Sequence, residues 1–124
     1  MAKPRLGVLF SRVRIEEKHI FSALEKRAIP VEKIDDRSAI FNLQDPGGWQ
    51  QFDAVLERSL STSRGLYSVR ILNGWGIPTV NSARVAEGCS DKITTSSVLT
   101  GADIPQPDAA VAYTPEAALQ AIEA

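Results

Sequence analysis

The chain has 124 residues, 44% of them hydrophobic and 23% charged, which fits one globular domain able to bury a core without disulfides or metal. Fourteen Lys and Arg against fifteen Asp and Glu leave a formal charge of −1, so the composition makes no case for a nucleic-acid or membrane partner. The single cysteine, Cys89, has no intramolecular partner, and the apolar run after the basic start is too short for a secretory signal or for a spanning helix of about 20 residues. A cytoplasmic protein is expected.

Strand and helix signals alternate along the chain. Leu6, Gly7, Val8, Leu9 and Phe10 form a short buried-strand pattern. Over residues 15–28, Ile20, Phe21, Leu24 and Ala28 fall on one helical face, with Glu16, Glu17, Lys18, Glu25 and Lys26 expected elsewhere. Pro30 precedes a second strand over residues 31–34. A polar stretch with a turn at Asp45, Pro46, Gly47 and Gly48 leads to a third strand over residues 52–57.

A helix over residues 63–75 carries apolar residues around a broad face. Gly76 is placed for a left-handed C-cap and Pro78 follows it. Thr79 and Val80 give a fourth strand, ended by Asn81. Two short helices are expected over residues 83–88 and 91–100, the second closed by Gly101. Residues 109–113 suggest a further strand, and Thr114, Pro115 and Glu116 start a last helix. That helix reaches Ala124 without a C-cap, which suggests a chain cut within a larger protein.

Four strands in βαβ order predict an α/β fold: a parallel sheet with right-handed crossovers and helices on both faces. Ligands of such sheets sit beyond the carboxyl ends of the strands. The loops that gather there are residues 11–15, 58–65 and 81–83. In the second loop, Ser61, Ser63, Arg64 and Gly65 open a helix, so backbone N–H groups, the helix dipole and a guanidinium could receive an anion; ordinary N-capping is the simpler reading. Arg12 and Arg14 could face the same crevice or lie solvated. Lys92, at a helix start that electrostatically favours acids, is either a ligand contact or a surface lysine. Cys89 is expected buried or half-buried, Trp49 is expected to lie over the core, and His19 lies among charges. One Cys and one His give no metal-ligand pattern, and neither a dinucleotide-binding glycine fingerprint nor a P-loop is present.

Four runs carry a resemblance that covers the chain from Leu6 onward. They are Leu56–Glu57–Arg58–Ser59–Leu60–Ser61–Thr62–Ser63–Arg64–Gly65, then Gly76–Ile77–Pro78–Thr79–Val80–Asn81, then Glu87–Gly88–Cys89–Ser90–Asp91–Lys92–Ile93–Thr94–Thr95–Ser96 with Ile104–Pro105–Gln106–Pro107 after it. They resemble the amino-terminal part of the LysX-type ATP-grasp ligases, relatives of the RimK family. The Ser-x-Ser-Arg-Gly loop and the Asp-Lys helix start are its most specific pieces.

The resemblance implies a Rossmann-like, three-layer pre-ATP-grasp domain over residues 1–88. Residues 89–124 would be a linker helix and the start of a truncated ATP-grasp domain. It implies a ligase that uses ATP and Mg2+ to activate the carboxylate of a small acidic amino-group carrier protein as an acyl phosphate. That carboxylate is then joined to α-aminoadipate or glutamate, in lysine or arginine biosynthesis. It places Lys92 at ATP and Arg64 with Ser63 on the substrate side, where Arg12 and Asn81, in loops that depart from the relatives' pattern, are assigned from their place at the strand ends; no catalytic residue and no metal ligand is expected in this chain. The metal-binding acids would lie in later domains, leaving residues 1–124 inactive alone and, with apolar surface bared, self-associating. A stand-alone flavodoxin-like binding or scaffold module is the alternative.

Overall fold

The computed structural model describes residues 3–123. The chain divides into two compact units, one through Glu87 and one from Gly88. In the first, β1 (Leu6–Phe10), α1 (Ile15–Lys26), β2 (Val31–Asp35), the short 3-10 helix α2 (Gly47–Gln51), β3 (Ala54–Arg58), α3 (Thr62–Gly74) and β4 (Thr79–Val80) follow in order. The four strands are all parallel and lie in the order β2-β1-β3-β4. The chain therefore reverses its direction of progress across the sheet between β1 and β3, the topological switch point of this architecture.

Side-chain alternation assigns the two faces. Leu9 and Val55 pack with Phe52, Leu72 and Ile77, which puts α3 on that side. Phe10 meets Phe21 of α1 on the other face, ring centroids 5.9 Å apart. At Gly7 the packing is tight: an added Cβ would lie 3.3 Å from side-chain atoms of both Ile34 and Val55. α3 buries Gly65, Ser68, Val69 and Leu72. It closes as its sequence predicts, with Trp75 as C-cap and Gly76 at φ +80°.

Several boundaries differ from expectation. α1 stops at Lys26, and Ala28 takes the left-handed conformation at φ 49° while the amide of Ile29 bonds back to the carbonyl of Leu24. β3 starts at Ala54. Phe52 instead follows α2 and is buried there, reached by a loop whose Ala39, Phe41 and Trp49 pack on the core. Trp49 stacks on Phe41 and covers the core as expected.

In the second unit, α4 (Ala83–Ser90) straddles the division and is longer than expected, followed by α5 (Lys92–Gly101) and α6 (Pro115–Glu123). Asp91 caps α5, accepting the Thr94 amide at 2.9 Å. Residues 109–113, expected as a strand, form none, because no neighbouring segment pairs with them. Ala124, the expected last residue of α6, lies outside the described residues.

Candidate functional site

Alternation decides the chemistry at the carboxyl end of β3, where adjacent Glu57 and Arg58 leave the sheet on opposite faces. Arg58 shares the register position of Phe10 and so turns to the α1 side. There its Nε donates to Oε1 of Glu17 at 3.0 Å, and its Nη2 lies 2.9 Å from the same oxygen as an ion pair. Glu17 is fully buried, which corrects its expected place on the polar side of α1. It is the third residue of α1, and its carboxylate reaches back to the amide of the N-cap residue, Arg14, at 3.0 Å. The Arg14 guanidinium embraces the same carboxylate, Nε to Oε2 at 3.0 Å and Nη2 to Oε1 at 2.8 Å. Hydrogen bonds from Arg14, then from Arg58, hold the Glu17 carboxyl down at about 2, against the opposing effect of burial.

Glu57 turns to the α3 side. It accepts the Ser59 amide, and an added Cβ on Gly65 would lie 2.8 Å from its Oε1. Gly65 thus leaves room for this carboxylate beside the first turn of α3, and a side chain there would oblige the Glu57 carboxylate to shift.

A second group joins three loops. The Ser11 hydroxyl donates to Oδ2 of Asp36 at 2.6 Å and accepts the Leu60 amide at 2.8 Å. Arg64 reaches the same Asp36 oxygen from α3 at 3.5 Å. Oδ1 of Asp36 and the Ser59 hydroxyl are buried without a hydrogen-bond partner. On the rim, Arg37 holds the Asp35 carboxyl at about 2 through side-chain and backbone hydrogen bonds.

Arg64, Ser63, Arg12 and Asn81 all stand at the carboxyl ends of the strands, as the sequence predicts, and all are exposed. Ser63 meets the Ser61 hydroxyl at 3.1 Å, in a turn that Ser61 caps through the Arg64 amide at 3.4 Å. The carbonyl of Asn81 accepts the Thr79 hydroxyl. Lys92 belongs to the second unit. It is exposed at the start of α5 and lines an open cavity of about 980 Å³ with Ser96, Thr100 and Gln106. Cys89 is exposed rather than buried, because α4 buries none of its residues.

Sequence reasoning missed Glu17, Arg58 and Asp36. A Glu three residues after a helix N-cap is a usable signal, but with Arg rather than Ser, Thr or Asp in the cap position the pattern is easily passed over. Among the described residues no three His, Cys, Asp or Glu side chains group closely enough to hold a metal ion, and no helix is long and apolar enough to cross a membrane.

Residues 6–88 match the LysX preATP-grasp domain family. The chain is 36% identical over 119 residues to a protein of Sulfurisphaera tokodaii named glutamate–LysW ligase ArgX, covering 96% of this chain and 42% of that protein. It is 30% identical to an α-aminoadipate–LysW ligase LysX of Sulfolobus acidocaldarius, over 86% of this chain and 40% of that one. A solved structure titled as a RimK domain ATP-grasp protein from Sphaerobacter thermophilus aligns with a TM-score of 0.78 at 26% identity, over 96% of this chain and 45% of that one. The chain thus spans less than half the length of these relatives.

Proposed function

Since the chain belongs to the LysX preATP-grasp domain family, we propose that it is the amino-terminal domain of an ATP-dependent carboxylate–amine ligase. The ligase joins an acidic amino acid to the carboxylate of a small acidic amino-group carrier protein, in arginine or lysine biosynthesis. The observation that carries this reading is the coincidence of the family match, residues 6–88, with the parallel sheet whose carboxyl edge collects Arg12, Arg14, Arg58 and Arg64. Glutamate is the favoured amine, because the similarity to the relative named for glutamate, 36%, exceeds that to the relative named for α-aminoadipate, 30%.

ATP supplies the phosphoryl group that turns a carboxylate into an acyl phosphate, from which the amine displaces phosphate to leave an amide. Lys92 is suited to the nucleotide: it is exposed, it lines a cavity, and the N–H groups of the first turn of α5 add partial positive charge beside it. Mg2+ does not fit the described residues, which offer no cluster of three carboxylates to hold it. Arg64, Ser63, Arg12 and Asn81 are assigned to the substrate side of the crevice, where their work is to bind and orient carboxylates. The isolated chain has no turnover on this reading, since one exposed lysine holds a nucleotide weakly, contributing on the order of 1 kcal/mol or less.

A chimera tests the proposal. Residues 1–124 replace the matching segment of the Sulfurisphaera tokodaii relative, and ADP release is followed with glutamate or α-aminoadipate. The expected outcome is release that requires both the carrier protein and an amino acid, with glutamate preferred. A folded chimera that releases no ADP above background overturns it.

A further inference from the structure

We propose that Glu17 is a positioning residue that holds Arg14 and Arg58 as a paired oxyanion receptor at the switch point between β1 and β3. The two arginines come from different elements, one at the N-cap of α1 and one at the end of β3, yet converge on a single fully buried carboxylate. Arg14 spends Nε and one Nη2 hydrogen on Glu17, while Arg58 spends Nε and keeps Nη2 in ion-pair contact with the same oxygen. The Nη1 group of each, and the outer hydrogen of each Nη2, have no acceptor among the described residues. Both side chains remain about one-third exposed, at 31% and 32%. Glu17 thus satisfies one edge of each guanidinium and leaves the other edge turned to solvent.

Charge supports the assignment. Two guanidiniums share one buried carboxylate, so the triad carries a net positive charge. Glu16 forms a direct ion pair with Arg14 at 3.9 Å, but it is largely exposed, so the pair is screened and offsets that charge only in part. A guanidinium fork fixed at one edge loses little further freedom when its other edge grips a carboxylate or phosphate, so such a pair is pre-organised for planar oxyanions. Fastening a helix to a strand does not itself call for this arrangement. Buried ion pairs are often replaced by apolar residues without loss of stability, and the neighbouring Phe10–Phe21 contact already joins α1 to the sheet. The receptor's place at the switch point is where ligands of open parallel sheets bind.

The inference rests on the ligase reading only for the source of the oxyanion, a substrate carboxylate or a nucleotide phosphate. Binding is therefore read on the chain itself, so it can fail while the chimera remains active. The 15N-labelled chain is titrated with sodium phosphate, and separately with sodium glutarate, at ionic strength held constant with sodium chloride. The Nε–H signals of every arginine are followed.

The expected result is a saturable shift at both Arg14 and Arg58; saturation by phosphate assigns a phosphoryl group and saturation by glutarate a carboxylate. Arg14→Lys and Arg58→Lys keep the charge but lose the fork, and should weaken binding by about tenfold, the size of one charge-assisted contact. Glu17→Gln should weaken it similarly; if that variant does not fold, the two lysine variants decide. No saturable shift at Arg14 and Arg58 with either anion overturns the proposal, including the case in which only Arg12 and Arg64 respond. Wild-type affinity in the lysine variants with a lowered melting temperature would reduce the triad to a fastening.

Discussion

At the residue scale the decisive side chain is Glu17, whose carboxylate is out of water but held by two guanidiniums and one amide. Removing it strands two half-buried cations, and Glu17→Ala should cost about 3–5 kcal/mol, read as a lowered midpoint in urea. Its pKa also sets a pH dependence. The folded value, about 2, lies below the ordinary 4.5, so the folded protein binds the proton less readily than the unfolded chain. The stabilisation is complete above pH 4.5 and is lost as pH falls towards 2. Asp35, also held at about 2, acts in the same direction from the surface. Acid titration of the Glu17→Gln variant should show a flatter loss of stability across that window than the parent; identical slopes would remove Glu17 as its source. None of this was legible in the helical periodicity, which sorts residues by polarity and so sends a charged residue outward. The pairing that reverses the assignment links positions 17 and 58 and exists only once β3 lies beside β1.

At the scale of elements, the sequence specifies more. The strands at Leu6–Phe10 and Thr79–Val80 and the Gly76 stop of α3 were readable because apolar runs and a left-handed glycine are local signals. The end of α1 was not, since Ala28 fills a conformation that favours glycine. Ala28→Gly should therefore stabilise the domain by about 0.5–1 kcal/mol, the relief of the Cβ clash exceeding the entropy added to the unfolded chain. A melting temperature that falls would contradict it. The opposite change applies at the start of α3. Gly65→Ala sets a methyl 2.8 Å from the Glu57 carboxylate, which is the end of a flexible side chain and can move aside, so the melting temperature should fall only slightly, and not at all when Glu57→Ala is also present. The strand expected over residues 109–113 failed for the converse reason: an apolar run predicts a strand only where a neighbour offers it a ladder, and here no segment does.

At the scale of the whole molecule, the two units bury themselves unequally. The first holds Val8, Leu9, Phe21, Phe52, Val55, Val69, Leu72 and Ile77 inside. Helices α4, which crosses the division, α5 and α6 bury no residue, and in the second unit Ile93, Val98, Val111, Leu119 and Ile122 are all at least half exposed. Short helices without tertiary burial are marginal, because a helix of about ten residues gains too few hydrogen bonds to offset the ordering of its backbone. Local stability should therefore divide along the chain. Amide hydrogen exchange at neutral pH should find the amides of β1 and β3 and the core-facing turns of α3 protected close to the global limit. Those of α5 and α6 should exchange at least about a hundredfold faster, a difference of roughly 2.7 kcal/mol in opening free energy. Leu72→Ala, which empties part of the core and should cost about 2–5 kcal/mol, would then raise exchange throughout the sheet but leave α5 and α6 unchanged. Uniform protection from Leu6 to Glu123 would mean that the exposed apolar side chains of the second unit are covered in solution, and dynamic light scattering across a concentration series would identify self-association as the cover.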